Sequence, residues 1–157
     1  MRGIYLVLAL LLITSPLSAQ KWDYEWFFGS DRLSNEPDFG MSSLDFNDGE
    51  VTVNYIGPTN FDIGPDCSMV ADVATGRIAL FSNGCNIYDR DQQAIAPQET
   101  LLEDWVSETF CPHVYAGYHN NLILPDLVNP QMFYLLQKDN EYSDELQTVS
   151  ATQLLIH

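Results

Sequence analysis

The sequence predicts an all-β protein made of short antiparallel hairpins, and three observations carry that expectation. Eight short apolar runs, 44–46, 51–55, 67–73, 78–82, 86–88, 122–124, 132–137 and 152–156, are each bounded by Gly, Pro, Asn or Asp. Two of the gaps between them, Asn47-Asp48-Gly49-Glu50 and Ala74-Thr75-Gly76-Arg77, carry the chemistry of tight turns. After the first twenty residues, few stretches show the spacing of an amphipathic helix. Short strands, tight hairpins and one long surface connection belong to a small sandwich or a propeller.

The chain opens with MRGIYLVLALLLITSPLSAQ, which has Arg2 as its positive start, an apolar run from Ile4 to Ile13, then Ser15-Pro16 and small residues up to Ala19. That is the pattern of a secretory signal peptide, residues 1–19, with cleavage expected between Ala19 and Gln20. A ten-residue apolar run is about half the roughly 20 residues a helix needs to cross a bilayer, so no membrane span is expected. The remaining 157 − 19 = 138 residues, 20–157, are about one domain's worth.

The whole chain has 6 basic and 22 acidic residues, and without Arg2 the formal charge is 5 − 22 = −17. Lys21, Arg32, Arg77, Arg90 and Lys138 lie singly, with no basic stripe to neutralise phosphates, so nucleic acid is excluded as a partner. With 46% hydrophobic and 12% aromatic residues, the chain can build a core and is not a disordered acidic tail.

Each later element has its own reason. Trp22, Tyr24, Trp26, Phe27 and Phe28 form an aromatic cluster that reads as an edge strand or core, or, if exposed, as a stacking platform for sugar rings. "SLDF" and "VTVNY" flank Asn47 to Glu50 as one hairpin, and 68–73 and 78–82 form a second, with Gly76 supplying the positive φ of a short turn. Residues 91–110 read as a long polar connection with one or two helical turns around Leu101, Leu102, Trp105 and Val106. "NLILP" and "MFYLL" pair around Asp126 to Pro130, and "ATQLLIH" is a final apolar strand with nothing after it to cover it.

Taken together, Trp26-Phe-Phe-Gly29, "SLDFNDGEV", "CSMVADVATGRIALFSNGCNIYDRD" and "NLILPDLVNPQMFYLL" resemble the N-terminal part of large secreted proteins of Bacteroidetes-type bacteria. The resemblance covers roughly residues 22–140. It implies a β-propeller of which this chain holds about two blades, a secreted or cell-surface destination, and type IX secretion, although the C-terminal sorting domain of such proteins is missing here. Downstream blades of the same protein would then be partners. Repeat architecture explains an uncovered final strand, because a blade cannot bury both faces alone.

The cysteines come next. Around Cys85 stand Asp89 and Asp91 with only Arg90 positive, a poor setting for a reactive thiolate. A zinc site from Cys111, His113 and His119 lacks a fourth donor and a familiar spacing. An exported chain favours a disulfide, with three cysteines and therefore one over. Loop entropy does not choose, since Cys67–Cys85 and Cys85–Cys111 are each worth about 3–3.5 kcal/mol. A hairpin centred on Thr75-Gly76 puts Cys67 opposite about Gly84, which keeps Cys67–Cys85 open. Against it, Cys85 starts a new segment after a bend, and a bond to Cys111 would pin the long connection. The resemblance favours Cys85–Cys111, with Cys67 as a small buried apolar residue.

No catalytic, cofactor-binding or metal-ligating residue is assigned. "DFNDGE" at 45–50 and "DRDQQ" at 89–93 gather oxygens without reproducing a calcium loop, and turn chemistry accounts for them. His113, His119 and His157 read as loop and terminal residues, and no P-loop, Rossmann or nucleophile-elbow motif occurs. The expected function is an exported, non-enzymatic binding or structural module whose partner is a glycan or another surface protein. The alternative is the N-terminal fragment of an extracellular carbohydrate-active or hydrolytic enzyme whose catalytic residues lie elsewhere. Mass spectrometry of the exported protein is expected to find a chain beginning at Gln20. Recovery of intact Met1 to Ala19 would instead mark a membrane anchor.

Overall fold

Three antiparallel sheets follow one another along the chain in a computed structural model that describes residues 21–29, 40–59, 61–64, 67–96, 105–111, 121–145 and 148–156. The segment 1–19 expected to be a signal peptide, the expected cleavage point at Ala19 and Gln20, and His113, His119 and His157 lie outside the described residues. The first sheet holds β1 (Glu25–Phe28), β2 (Met41–Asp45) and β3 (Thr52–Gly57) in that order. The second holds β4 (Ser68–Ala71), β5 (Ile78–Ser82), β6 (Ile87–Asp89) and β7 (Ala94–Ala96). A six-residue helix, α1 (Trp105–Phe110), precedes the third sheet of β8 (Asn121–Pro125), β9 (Phe133–Ser143) and β10 (Thr148–Ile156). The protein is all-β, and every sheet is a meander.

The turns form where the sequence places them. Gly49 (φ 81°) closes the β2–β3 turn and Gly76 (φ 69°) the β4–β5 turn. At Gly76 a side chain is doubly excluded, since a Cβ would also collide with Asn47 Oδ1. Asp72 Oδ1 accepts from the backbone N–H of Ala74 (3.1 Å) and Thr75 (2.8 Å), and Asp126 Oδ1 does the same for Val128 and Asn129 between β8 and β9.

Two elements depart from the sequence reading. The supposed polar connection after Asp91 begins as β7, reached by a tight Arg90-Asp91-Gln92 turn, and the helix expected further on is α1. No glycine marks that turn; Gln92 itself takes the left-handed conformation at φ 64°. The final apolar strand is longer than expected and pairs with β9 over most of its length as the outer edge of a three-stranded sheet.

The second sheet lies between the other two. On one side Ile78, Phe81 and Tyr88 pack with Phe27 and Met41 of the first sheet and with Phe61 and Ile63. On the other side Val70, Leu80 and Ile87 pack with Ile123, Phe133 and Leu135 of the third. A bulge at Ala79 makes this possible, because Val70 faces Leu80 while Ala71 faces Ile78. Strict alternation would turn Ile78 and Leu80 to one face; the extra residue turns Ile78 and Phe81 to one and Leu80 to the other.

Phe81 is fully buried, with ring centroids 5.4 Å from Phe27, 5.6 Å from Phe61 and 5.1 Å from Tyr88. Phe81→Ala is therefore expected to cost about 3–5 kcal/mol, a large share of the total stability of a small domain. Urea unfolding of the protein measures it, and Phe81→Leu is expected to lose clearly less.

Candidate functional site

Strand alternation turns Glu25 and Phe27 of β1 to the same inner face, toward the second sheet. The Glu25 side chain is only 2% exposed, and three donors meet it. Arg77 Nη1 lies 3.2 Å from Oε1, while Oε2 accepts from the backbone N–H of Ile78 at 2.8 Å and faces Arg90 Nη1 at 3.4 Å. Asp45, opposite Glu25 on β2, takes a second contact from Arg77 Nη1 at 2.6 Å. Its Oδ1 accepts from both the backbone N–H and Nδ2 of Asn47, each at 2.9 Å. Asn47 Nδ2 also reaches the Gly76 carbonyl (3.0 Å), so the β2–β3 turn is tied to the β4–β5 turn.

This cluster sits at the mouth of a cleft of about 530 Å³ between the first two sheets. Glu25, Ser43 and Asn54 line the first-sheet wall; Arg77 and the Arg90-Asp91-Gln92 turn form the other. Both guanidiniums are about half exposed and bridge the buried carboxylate to solvent. Of the chain's few cations, two converge here. Phe27 and Ile56 add apolar surface to this mostly polar lining, and the volume falls in the ~300–1,000 Å³ range of small-molecule clefts.

The electrostatics follow from the hydrogen bonds. Asn47's backbone N–H, helped by its side-chain amide and by the Arg77 and Arg90 guanidiniums, holds the Asp45 carboxyl below its ordinary pKa against the opposing effect of burial. Asp72 is likewise lowered, chiefly by the Thr75 N–H. Both "DFNDGE" and "DRDQQ" thus serve turns: Asp89 Oδ1 accepts from Gln93 N at 2.8 Å. Among the described residues, no three of His, Cys, Asp and Glu come together in a metal-holding group.

Cys85 and Cys111 form a disulfide with Cα atoms 5.6 Å apart, and it carries the end of α1 to the second sheet. Cys67 stands outside that bond, half-buried against the Phe81 core. The bend before Cys85 is built by Asn83, whose Oδ1 accepts from the N–H groups of Cys85 (3.1 Å) and Asn86 (3.0 Å), with Gly84 at φ 83°. On α1, Trp105 stacks on Tyr142 at 4.6 Å.

The aromatic cluster over residues 22–28 divides. Phe27 is core, while Trp26 and Phe28 are exposed on the outer face of the first sheet, where Trp26 lies 5.3 Å from Phe46. Tyr115 and Tyr118 lie outside the described residues. Sequence reading did not find the Glu25–Arg77–Arg90 cluster, because its members are 52 and 65 positions apart and none belongs to a motif. No helix among the described residues is long and apolar enough to cross a membrane. No protein-family model, curated protein or solved structure matches this chain.

Because the folded pKa of Asp45 is depressed, its contribution to stability is complete above the unfolded value near 3.9 and is lost as pH falls through the folded value. Asp45→Asn is expected to cost about 1.5–3 kcal/mol at pH 7. The gap from the natural protein should narrow toward pH 2–3, as read by urea unfolding at the two pH values. A gap that stays constant with pH would assign the loss to packing instead of charge.

Proposed function

We propose that this chain is an exported, non-enzymatic binding or structural module of a propeller-type surface protein. One observation carries the reading. The sheets are consecutive meanders stacked first on second and second on third, and their opening strands β1, β4 and β8 lie beside one another, β4 touching both others. Blades around a common axis have this arrangement. The Cys85–Cys111 disulfide is compatible with export, as is the signal-like leader.

Within that module we assign the cleft between the first two sheets to a glycan. Asn54, Arg90, Asp91 and Gln92 offer planar donors and acceptors suited to neighbouring sugar hydroxyls. Glu25 is already engaged by two guanidiniums and a backbone N–H, which favours binding over proton transfer at this place.

A glycan-array screen of the exported protein, followed by product analysis of each captured glycan, tests the reading. Retention of intact glycan, weakened at least tenfold by Arg90→Ala, is the expected result. Released shorter products would favour the carbohydrate-active alternative, and capture indifferent to Arg90→Ala would remove the ligand from this cleft.

A further inference from the structure

We infer that Tyr24, Trp26 and Phe46, with the carboxylate of Asp23 at their rim, form a binding site for a small quaternary ammonium ion that carries no anionic group of its own. The site lies on the outer face of the first sheet, away from the cleft assigned to a glycan, and stands independently of that reading.

Register builds it. Glu25 pairs with Asp45 and Trp26 with Leu44, and the Phe46 N–H extends the ladder by donating to the Tyr24 carbonyl at 2.9 Å. Tyr24 and Phe46 therefore stand opposite one another. Trp26 follows Tyr24 by two residues on the same face, the reverse of the one taken by Glu25 and Phe27. Asp23 precedes them in a turn closed by the Tyr24 N–H on the Lys21 carbonyl. These four residues line a pocket of about 240 Å³. Trp26 is 46% exposed, while Tyr24 and Phe46 are half-buried, so the rings are reachable yet held in place by the strands.

The lining selects the ligand. Apart from the Tyr24 hydroxyl, its single polar side-chain group is the Asp23 carboxylate, whereas a sugar brings several hydroxyls that each need a partner. The Trp26 and Phe46 rings are inclined at 60° with centroids 5.3 Å apart, which makes two walls and not the one flat platform a sugar face requires. A quaternary ammonium has the opposite needs. Its charge is spread over methyl groups, it donates no hydrogen bond, and aromatic faces attract it. Asp23 is exposed and engaged by no hydrogen bond or ion pair among the described residues, so its charge is available to the ion. The Tyr24 ring already draws a cation of the chain itself. Lys21 Nζ lies 5.5 Å from its centroid, donates to Asn47 Oδ1 at 3.3 Å, and is not part of the pocket lining. Long-range charge points the same way, because a formal charge of −16 attracts a cation and opposes a ligand that also carries phosphate or carboxylate. That separates a free quaternary ammonium ion from a phosphocholine headgroup.

Saturation-transfer NMR of the protein with choline tests the site through the N-methyl protons. Choline is expected to bind in the millimolar range, as ring–cation contacts open to water do, and the neutral alcohol in which carbon replaces its nitrogen at least tenfold more weakly. Asp23→Asn should weaken choline about threefold and Lys21→Met should strengthen it, with neither altering the alcohol. Trp26→Leu, at an exposed position, should abolish choline binding with unchanged circular dichroism. Arg90→Ala should leave choline binding intact, which keeps this site distinct from the glycan cleft. Equal affinity for the alcohol would reduce the pocket to an apolar hollow and overturn the inference. So would choline binding that survives Trp26→Leu, phosphocholine or phosphatidylcholine vesicles bound as tightly as choline, or methyl glucoside saturating these rings while choline does not.

Discussion

A single buried carboxylate decides how the first sheet meets the second. β1 is four residues long and could slide along or tilt from its neighbour, since apolar contact through Phe27 alone is non-directional. Glu25 supplies direction. Its two oxygens are met by Arg77, Arg90 and the Ile78 N–H, which belong to the start of β5 and the end of β6, so β1 is fixed against two points of the second sheet at once. Withdrawing either half-exposed guanidinium leaves the other and the Ile78 N–H on the buried carboxylate, so the alignment is held redundantly. The contact in turn depends on the Gly76 turn, which delivers Arg77, and on Asn47, which ties that turn to the first sheet.

The second sheet has a different task, because it must be apolar on both faces. Its bulge at Ala79 answers that demand by splitting a five-residue strand between two cores. On the side of the third sheet the fixing contact is again polar and short: Ser68 Oγ accepts from the Ile123 N–H at 2.7 Å in a buried setting. Gln137 Nε2 adds a second such bond, to the Gly84 carbonyl at 3.2 Å, so each interface combines broad apolar packing with a few directional bonds. Packing supplies most of the stabilisation, and the directional bonds select one alignment.

Legibility followed the range of the physics. The hairpins around Gly49, Gly76 and Asp126 are local, set by φ sign and by carboxylates accepting from N–H groups two and three residues on, and they could be read from adjacent letters. β7 was missed because its turn uses Gln92 at a position where glycine is the usual signal. The register of the β4–β5 hairpin was one residue out, because Ala79 carries no mark that distinguishes a bulged residue from a paired one. The Glu25 cluster and the cleft were illegible for a simpler reason. They join residues from separate sheets, and only the stacking of those sheets brings them together.

The strands' composition carries a last step. A strand covered on one face alternates apolar and polar residues, whereas one covered on both reads as a continuous apolar run. β5, "IALFS", is such a run, and the structure accounts for it: Phe81 enters one core and Leu80 borders the other. β1 carries "WFF" and β8 carries "LIL", equally continuous, yet each has one neighbouring sheet, so Trp26, Phe28, Leu122 and Leu124 face water. Alternation fails at the two ends of the stack in the way it fails in the middle, where both faces are filled. The sequence of β1 and β8 thus has the composition of interior strands, and the surface they leave exposed is shaped by the same rule that built the second sheet between its two neighbours.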